Sequence, residues 1–435
     1  MDMKWPVIVA IATLGAPSPL RSQASGPQLS LPDAQALALK NHPQVLASQA
    51  TYLRADQITR ATRAPYYPVL NGDITSAQAN LNSRLGAGVV NDPALFSHFG
   101  TGVSLSQLIT DSGRTANLVS NARLLAQASR ADYQSTRYDV LLAVNQAYYE
   151  VLLSGQLVKV AQQTVSTRQA VVDQVSELTR NKLKSQVDLS FAQVNLSDAK
   201  LMLLRAQDRL AGAYAALGQA LGTQQFIQYQ LADQPMPPEA PKNVAQLIRE
   251  AFQNRPELAS LRLQQEADQK FVYAERDLNR PTVSVAAVAG ALPYIRSGNT
   301  NVDIPAGYEA AAVNVHIPVF NGHLFNARRQ AAEYQLRATE QRVRGLQDRI
   351  AMDVRTAWER TRTAYEAIAA SEQLLSQANL ALDLAQGRYN LGLSSIVELT
   401  QAQLGQTSAQ VQSLNGKYEY QEAYAALQYT LGQLH

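Results

Sequence analysis

The residues of this chain that could do chemistry are few and scattered. Its five histidines, His42, His98, His316, His323 and His435, share no metal-ligand spacing. Cysteine is absent, which removes disulfides, thiolate metal sites and a thiol nucleophile together. Serines are common, but none sits in a nucleophile-elbow setting, and no phosphate-binding loop or dinucleotide fingerprint is present. Tyr133, Tyr138, Tyr148 and Tyr149 could stack a flat substrate, although their helical setting makes packing between helices the simpler account. The sequence therefore implies neither catalysis nor a cofactor.

Composition narrows the class further. Charged residues are only 17% of the 435 positions, and the formal charge of +3 is scattered rather than gathered on one face, which disfavours nucleic acid as a partner. Long stretches rich in Ala, Leu, Gln and Ser read as weakly charged helices that can pack closely side by side. At the start, Lys4 precedes an apolar run from Val7 to Ala16, and Ser22-Gln23-Ala24 offers a small-residue cleavage site, so residues 1–24 read as an export signal. Beyond it no apolar stretch approaches the ~20 residues of a spanning helix. If the protein spans a membrane, it must do so as a closed β-barrel.

The elements follow from an internal repeat. Asn41-His42-Pro43 recurs as Asn254-Arg255-Pro256, and Pro68 as Pro281, 213 positions later. At an offset of 210, Val103-Ser104-Leu105 matches Val313-Asn314-Val315, and Ala147-Tyr148 matches Ala357-Trp358. Further on, Val187-Asp188-Leu189 matches Val397-Glu398-Leu399, and Ala213-Tyr214-Ala215-Ala216-Leu217 returns unchanged at 423–427. Each copy then reaches a Leu-Gly pair, Leu221-Gly222 or Leu431-Gly432. These matches define a first unit over 25–233, a Pro-rich linker over 234–241 and a second unit over 242–435.

Each unit has one order. A helix over about Pro32 to Arg63, or Val244 to Asn279, ends ahead of a proline. Strand-like segments with period two follow, as hairpins over 68–109 and 281–319, with exposed loops expected at Arg84 to Pro93 and Arg296 to Gly307. Roughly 65 proline-free residues come next, from about Arg114 to Arg180 and from about Leu324 to Leu391, each ~100 Å long as a helix. A second helix returns from about Gln186 to Leu221 and from about Ser395 to Leu434, so 112–221 and 323–434 form antiparallel helical hairpins. The fold class is thus α+β, mostly long helices with four strands per chain.

Four strands cannot close a membrane barrel, which needs about eight, so the chain must oligomerise to finish one. Three copies supply twelve strands above a ring of helices. On the duplication, the Asn-x-Pro segments, Asp111-Ser112-Gly113-Arg114 and the turn Arg388-Tyr389-Asn390-Leu391-Gly392-Leu393-Ser394-Ser395-Ile396-Val397-Glu398-Leu399, the chain resembles the TolC family of outer-membrane efflux and secretion channels over nearly its whole mature length.

That resemblance implies a homotrimer in the outer membrane of a Gram-negative bacterium. A twelve-stranded barrel in outer-membrane lipid would continue as a helical barrel across the periplasm. Its tip would meet a periplasmic adaptor and an inner-membrane pump or ABC transporter, and the cargo would be small molecules or polypeptides. Asp188, Tyr389 and Glu398 match the family's periplasmic gate. Chemically, a tyrosine hydroxyl can donate to a carboxylate, so an Asp188 to Tyr389 bond would serve as a latch between adjacent hairpins. Glu398 repeated around a threefold axis would make a cation-favouring ring, weakened because Gln401 stands where the family often has a second acid.

The adaptor-docking tips correspond to Lys182, Leu183, Lys184 and Ser185 in the first unit and to Gly392, Leu393 and Ser394 in the second. Gly392 suits a left-handed helix end. Lys182 stands where glycine is expected, which leaves the geometry of the first tip open. A secreted or surface coiled-coil protein without a pore would explain the helices but not the strands. A periplasmic adaptor would carry Gly- and Val-rich β modules that this chain lacks.

Overall fold

The computed structural model describes residues 27–78, 97–223, 227–296 and 307–434. The export signal over 1–24, the loop from Arg84 to Pro93, the interior of the loop from Arg296 to Gly307, and His435 lie outside the described residues.

The chain opens with β1 (Gln28–Leu29), α1 (Leu31–Asn41) and α2 (Pro43–Thr62), then β2 (Val69–Ala77) and β3 (Ser97–Thr110). Helices α3 (Arg114–Arg180) and α4 (Gln186–Ala220) form the first hairpin. The second unit repeats the order with α5 (Val244–Asn254), α6 (Pro256–Asp277), β5 (Thr282–Arg296), β6 (Gly307–His316), α7 (Leu324–Asn390) and α8 (Ile396–Thr430), after the short β4 (Gln230–Leu231).

Two features depart from expectation. The single helix expected before each strand pair is broken in two, at His42 (φ −66°, ψ 125°) and at Arg255 (φ −70°, ψ 121°). Proline at the next position disfavours helical backbone at the residue before it while suiting the first turn of a new helix. The break also has a packing purpose. Gly222 and Gly432, both at φ +69°, end α4 and α8 against these kinks. A Cβ on Gly222 would stand 2.7 Å from His42 Cα, and one on Gly432 would stand 2.7 Å from Asn254 O. The Asn-x-Pro and Leu-Gly motifs of each unit are therefore the two sides of one contact.

The second departure is the parallel bridge of β1 with β4, Gln28↔Gln230 and Leu29↔Leu231, too short to leave a pattern in sequence. It lets the linker lie along the helices as a strap. Tyr148 donates to Leu29 O (3.0 Å) and Ala232 O (2.7 Å), and Trp358, its counterpart in the second unit, donates to Pro241 O (2.7 Å). Tyr148 is fully buried, in a core with Val144, Leu157 and Leu217, and meets Tyr149 edge-on.

Each strand-to-helix turn uses two consecutive left-handed residues, Ser112 (φ 58°) with Gly113 (φ 98°) and Gly322 (φ 62°) with His323 (φ 65°). Asp111 accepts from Thr115 N (2.6 Å) to cap α3, and Asn321 plays the weaker equivalent role at Phe325 N (3.5 Å). The four long strands form one antiparallel sheet in the order β2-β3-β5-β6, so the two units meet at β3 with β5 and the sheet ends in open edges at β2 and β6.

Candidate functional site: an open apolar sheet and two hairpin tips

Residues opposite one another in antiparallel strands share a face, and the register separates two kinds of face here. Leu70 stands opposite Leu105, which stands opposite Ala287. Ile74, Val103, Val285, Val313 and Val315 extend the same face. Asn71, Asp73, Ser104, Ser106, Ser284 and Asn314 lie on the other, mixed with Val69, Leu108 and Val288. The apolar face is interrupted by Glu309 and by Gln107, whose amide folds back onto Leu108 O (2.7 Å).

Among the described residues no helix covers the apolar face. Ile74 is 77% exposed and Val313 69%. An uncovered face of this kind, with unpaired edges on both sides, is unstable in water and suited to hydrocarbon once the edges are closed. No helix among the described residues is long and apolar enough to cross a membrane.

The strands feed α3 and α7, each of 67 residues, which carry the chain about 100 Å to the opposite end. There the two hairpins turn in the same way. Lys182 adopts φ 58°, close to the 72° of Gly392. Lys182 N donates to Thr179 O and Leu183 N to Leu178 O, just as Gly392 N donates to Tyr389 O and Leu393 N to Arg388 O. The lysine is thus held in a left-handed helix end that glycine adopts without strain, and it changes the chemistry of the first tip without changing its turn.

The carboxylates beyond the turns diverge. Asp188 closes a capping box, with Ser185 N donating to its Oδ2 (3.1 Å) and Asp188 N donating to Ser185 Oγ (3.1 Å). Glu398 N donates to Ser395 Oγ (3.3 Å), but the Glu398 carboxylate pairs with Arg388 Nε at 3.0 Å. A negative ring built from Glu398 would thus be partly neutralised by its own hairpin.

Tyr389 is 3% exposed, packed with Val171, Val175, Ala192, Ile396 and Leu399 where the two hairpins meet. Lys184 Nζ lies 4.7 Å from the centre of its ring, so the first tip touches the second through a cation–π contact. The Tyr389 hydroxyl has no hydrogen-bond partner, and the expected bond to Asp188 is not made within the protomer. Burial raises the Tyr389 pKa above the usual phenol value, and the negative charge of Asp188 adds to the rise. Ser394 Oγ is likewise buried without a partner.

Sequence reasoning missed four contributors at the tips. Val187 and Val397, matched by the repeat, are exposed, as are Leu183, Leu391 and Leu393, so both tips carry uncovered apolar side chains. In the sequence Arg388 stands only as part of the turn motif. Its pairing with Glu398 spans the turn, and an Arg and a Glu flanking Gly392 was the available signal.

An uncovered apolar sheet at one end of long paired helices, and turns with exposed apolar side chains at the other, fit a membrane-seated protein. The profile of the outer membrane efflux protein family matches the chain twice, over residues 35–223 and 247–433, and the chain belongs to that family. Its place is the outer membrane, and the family consists of channels, not enzymes. The outer membrane efflux protein BepC of Brucella suis biovar 1 is 23% identical over 438 residues, covering 98% of this chain and 90% of that protein. The outer membrane protein TolC of Salmonella enteritidis is 22% identical over 310 residues, and this match spans 69% of the chain and 62% of that relative's length. A crystal structure of CusC superimposes with a TM-score of 0.79 at 19% identity, covering 95% of each chain, which shows the shared fold.

Proposed function

We propose that three copies of this chain close their open sheet edges, β6 of one against β2 of the next, into a twelve-stranded barrel that continues as a helical duct. The observation that carries this reading is the uncovered apolar face of a sheet with two free edges, set above hairpins about 100 Å long. The duct would serve a tripartite efflux or type I secretion system. A periplasmic adaptor would dock on the tips through Leu183, Val187, Leu393 and Val397, with Lys182, Lys184 and Ser185 shaping the first tip and Gly392 and Ser394 the second. An inner-membrane pump or ABC transporter would supply small molecules or polypeptides as cargo.

In this reading the gate forms between adjacent hairpins. The unsatisfied Tyr389 hydroxyl would donate to the Asp188 carboxylate, drawing it away from the Ser185 cap, and each such bond would contribute about 1 kcal/mol. Glu398, tied to Arg388, would set only a mild cation preference.

Single-channel conductance in a planar bilayer tests both parts. The native protein is expected to conduct poorly, and the Tyr389→Phe, Asp188→Ala double variant clearly better. Equal conductance in the two proteins would remove the latch but keep the pore. No conductance from either, after confirmed insertion, would favour a coiled-coil structural protein.

A further inference from the structure

Arg168 lies on α3 twelve residues before the tip, about 18 Å above it. It is only 4% exposed, yet it forms no ion pair among the described residues. One terminal nitrogen donates to Asn195 O at 3.2 Å, and its Nε has no partner. Burial pulls the guanidinium pKa down, with Asp198 opposing that shift through space. Across the seam on α8, Gln403 is 6% exposed and its Nε2 is also unpartnered.

Both residues line one cavity of about 270 Å³, between α3 and α8 and against Leu382 of α7. No lining residue is acidic. The hydroxyls of Thr164 and Thr407 already donate to Val160 O (2.8 Å) and Gln403 O (2.9 Å) in their own helices. The buried donors of this lining left without a partner are a charged Nε–H and an amide.

A buried guanidinium without counter-charge is costly. The fold does not require one here, because Ala378 occupies the matching position of the second unit, whereas the amide is retained as Gln193. A cation is repelled by this lining. The cavity exceeds the ~30 Å³ share of one water several-fold, so a hydrated ion fits. From these residues we infer that the seam between the two hairpins binds a small monovalent anion of the halide class, held by Arg168 Nε and Gln403 Nε2. The anion ties α3 to α8 near the tip, whatever the protein conducts.

The test uses the full-length protein in detergent. Crystals soaked in bromide should show anomalous density between Arg168 Nε and Gln403 Nε2. Thermal unfolding should rise saturably with chloride relative to gluconate at matched ionic strength. The half-saturating concentration should increase about tenfold in Gln403→Leu, for one lost charge-assisted bond, and the response should vanish in Arg168→Met. Water alone in the cavity, a carboxylate of a neighbouring copy inserted there, or an unchanged chloride response in both variants would overturn the site. Bromide density with no chloride response in solution would mark an adventitious ion only and overturn it equally. If Arg168→Met does not fold, Gln403→Leu decides by the same shift.

Discussion

At the first hairpin tip Lys182 holds a left-handed backbone and Asp188 is locked into a cap with Ser185; at the second, Gly392 holds that backbone and the Glu398 carboxylate goes to Arg388 while its N–H stays on Ser395. The turns agree bond for bond, while the side chains that follow them take different partners. Backbone hydrogen bonds, not glycine, fix the turn, and this leaves each copy free to direct its carboxylate elsewhere. The same division runs through the molecule. The glycine ends of α4 and α8 against the kinks are duplicated in the same way, whereas some polar side-chain pairings, such as Arg388 with Glu398, belong to one unit alone.

The largest test of that division lies at the membrane end. Arg328 of α7 grips Glu275 of α6 with bonds of 2.6 and 2.9 Å, and Glu275 is 1% exposed. The first unit has Leu118 and Thr62 at these positions. Arg328→Ala should cost about 3 kcal/mol, because it strands a buried carboxylate while half the guanidinium was already solvated. The double change Arg328→Leu with Glu275→Thr, which copies the first unit, should recover most of the loss in denaturant unfolding. If it recovers nothing, the pair is not interchangeable between the units.

The duplicated contact gives the next test. Gly222→Ala and Gly432→Ala each place a methyl group on a kink and force a left-handed alanine, so each should lose about 2 kcal/mol. Similar losses would support a shared design. A loss confined to one variant would show that only one kink is tightly seated.

How much of this was legible in sequence depends on the range of the interaction. The long helices follow from proline-free runs rich in Ala and Leu, and the strands from alternation such as Val103, Leu105 and Val313, Val315; both are local signals. The breaks at His42 and Arg255 were legible in principle from the prolines that follow them, but helical composition on both sides hid them. The two-residue bridge of β1 with β4 had no local signal at all. At the tips, the repeat and the family resemblance pointed to positions and not to partners. That Asp188 serves its own helix, that Arg388 takes Glu398 and that Tyr389 lies beneath Lys184 depend on how the hairpins pack.

Exchanging the tip residues sharpens the comparison at smaller scale. Lys182→Gly should stabilise the protein by about 1 kcal/mol by relieving left-handed strain, although the freer unfolded chain offsets part of this. Gly392→Lys should destabilise it by a similar amount. The midpoint of thermal unfolding in detergent reports both. Opposite shifts would confirm that the two turns are one geometry, whereas a loss from Lys182→Gly would mean the lysine contributes contacts that outweigh its strain.

The smallest effect concerns a group with no counterpart. Glu422 of α8 is largely buried near Glu150, and Gly212 stands at the matching position of the first unit. Burial first, and the negative charge of Glu150 second, push its pKa from 4.5 up to about 6, against a partial opposing pull from Arg360. The folded protein therefore holds this proton more tightly than the unfolded chain. Its contribution to stability is fully present below about pH 4.5, falls as pH rises toward about 6, and stays lost above that. Partial solvent access limits the change to about 1 kcal/mol. Glu422→Gln should flatten this part of the stability profile between pH 4 and 7 and leave other slopes unchanged. An identical slope in the native protein and the variant would mean that water reaches the carboxylate in the assembled duct, and the second unit would then resemble the first here in behaviour despite the extra charge.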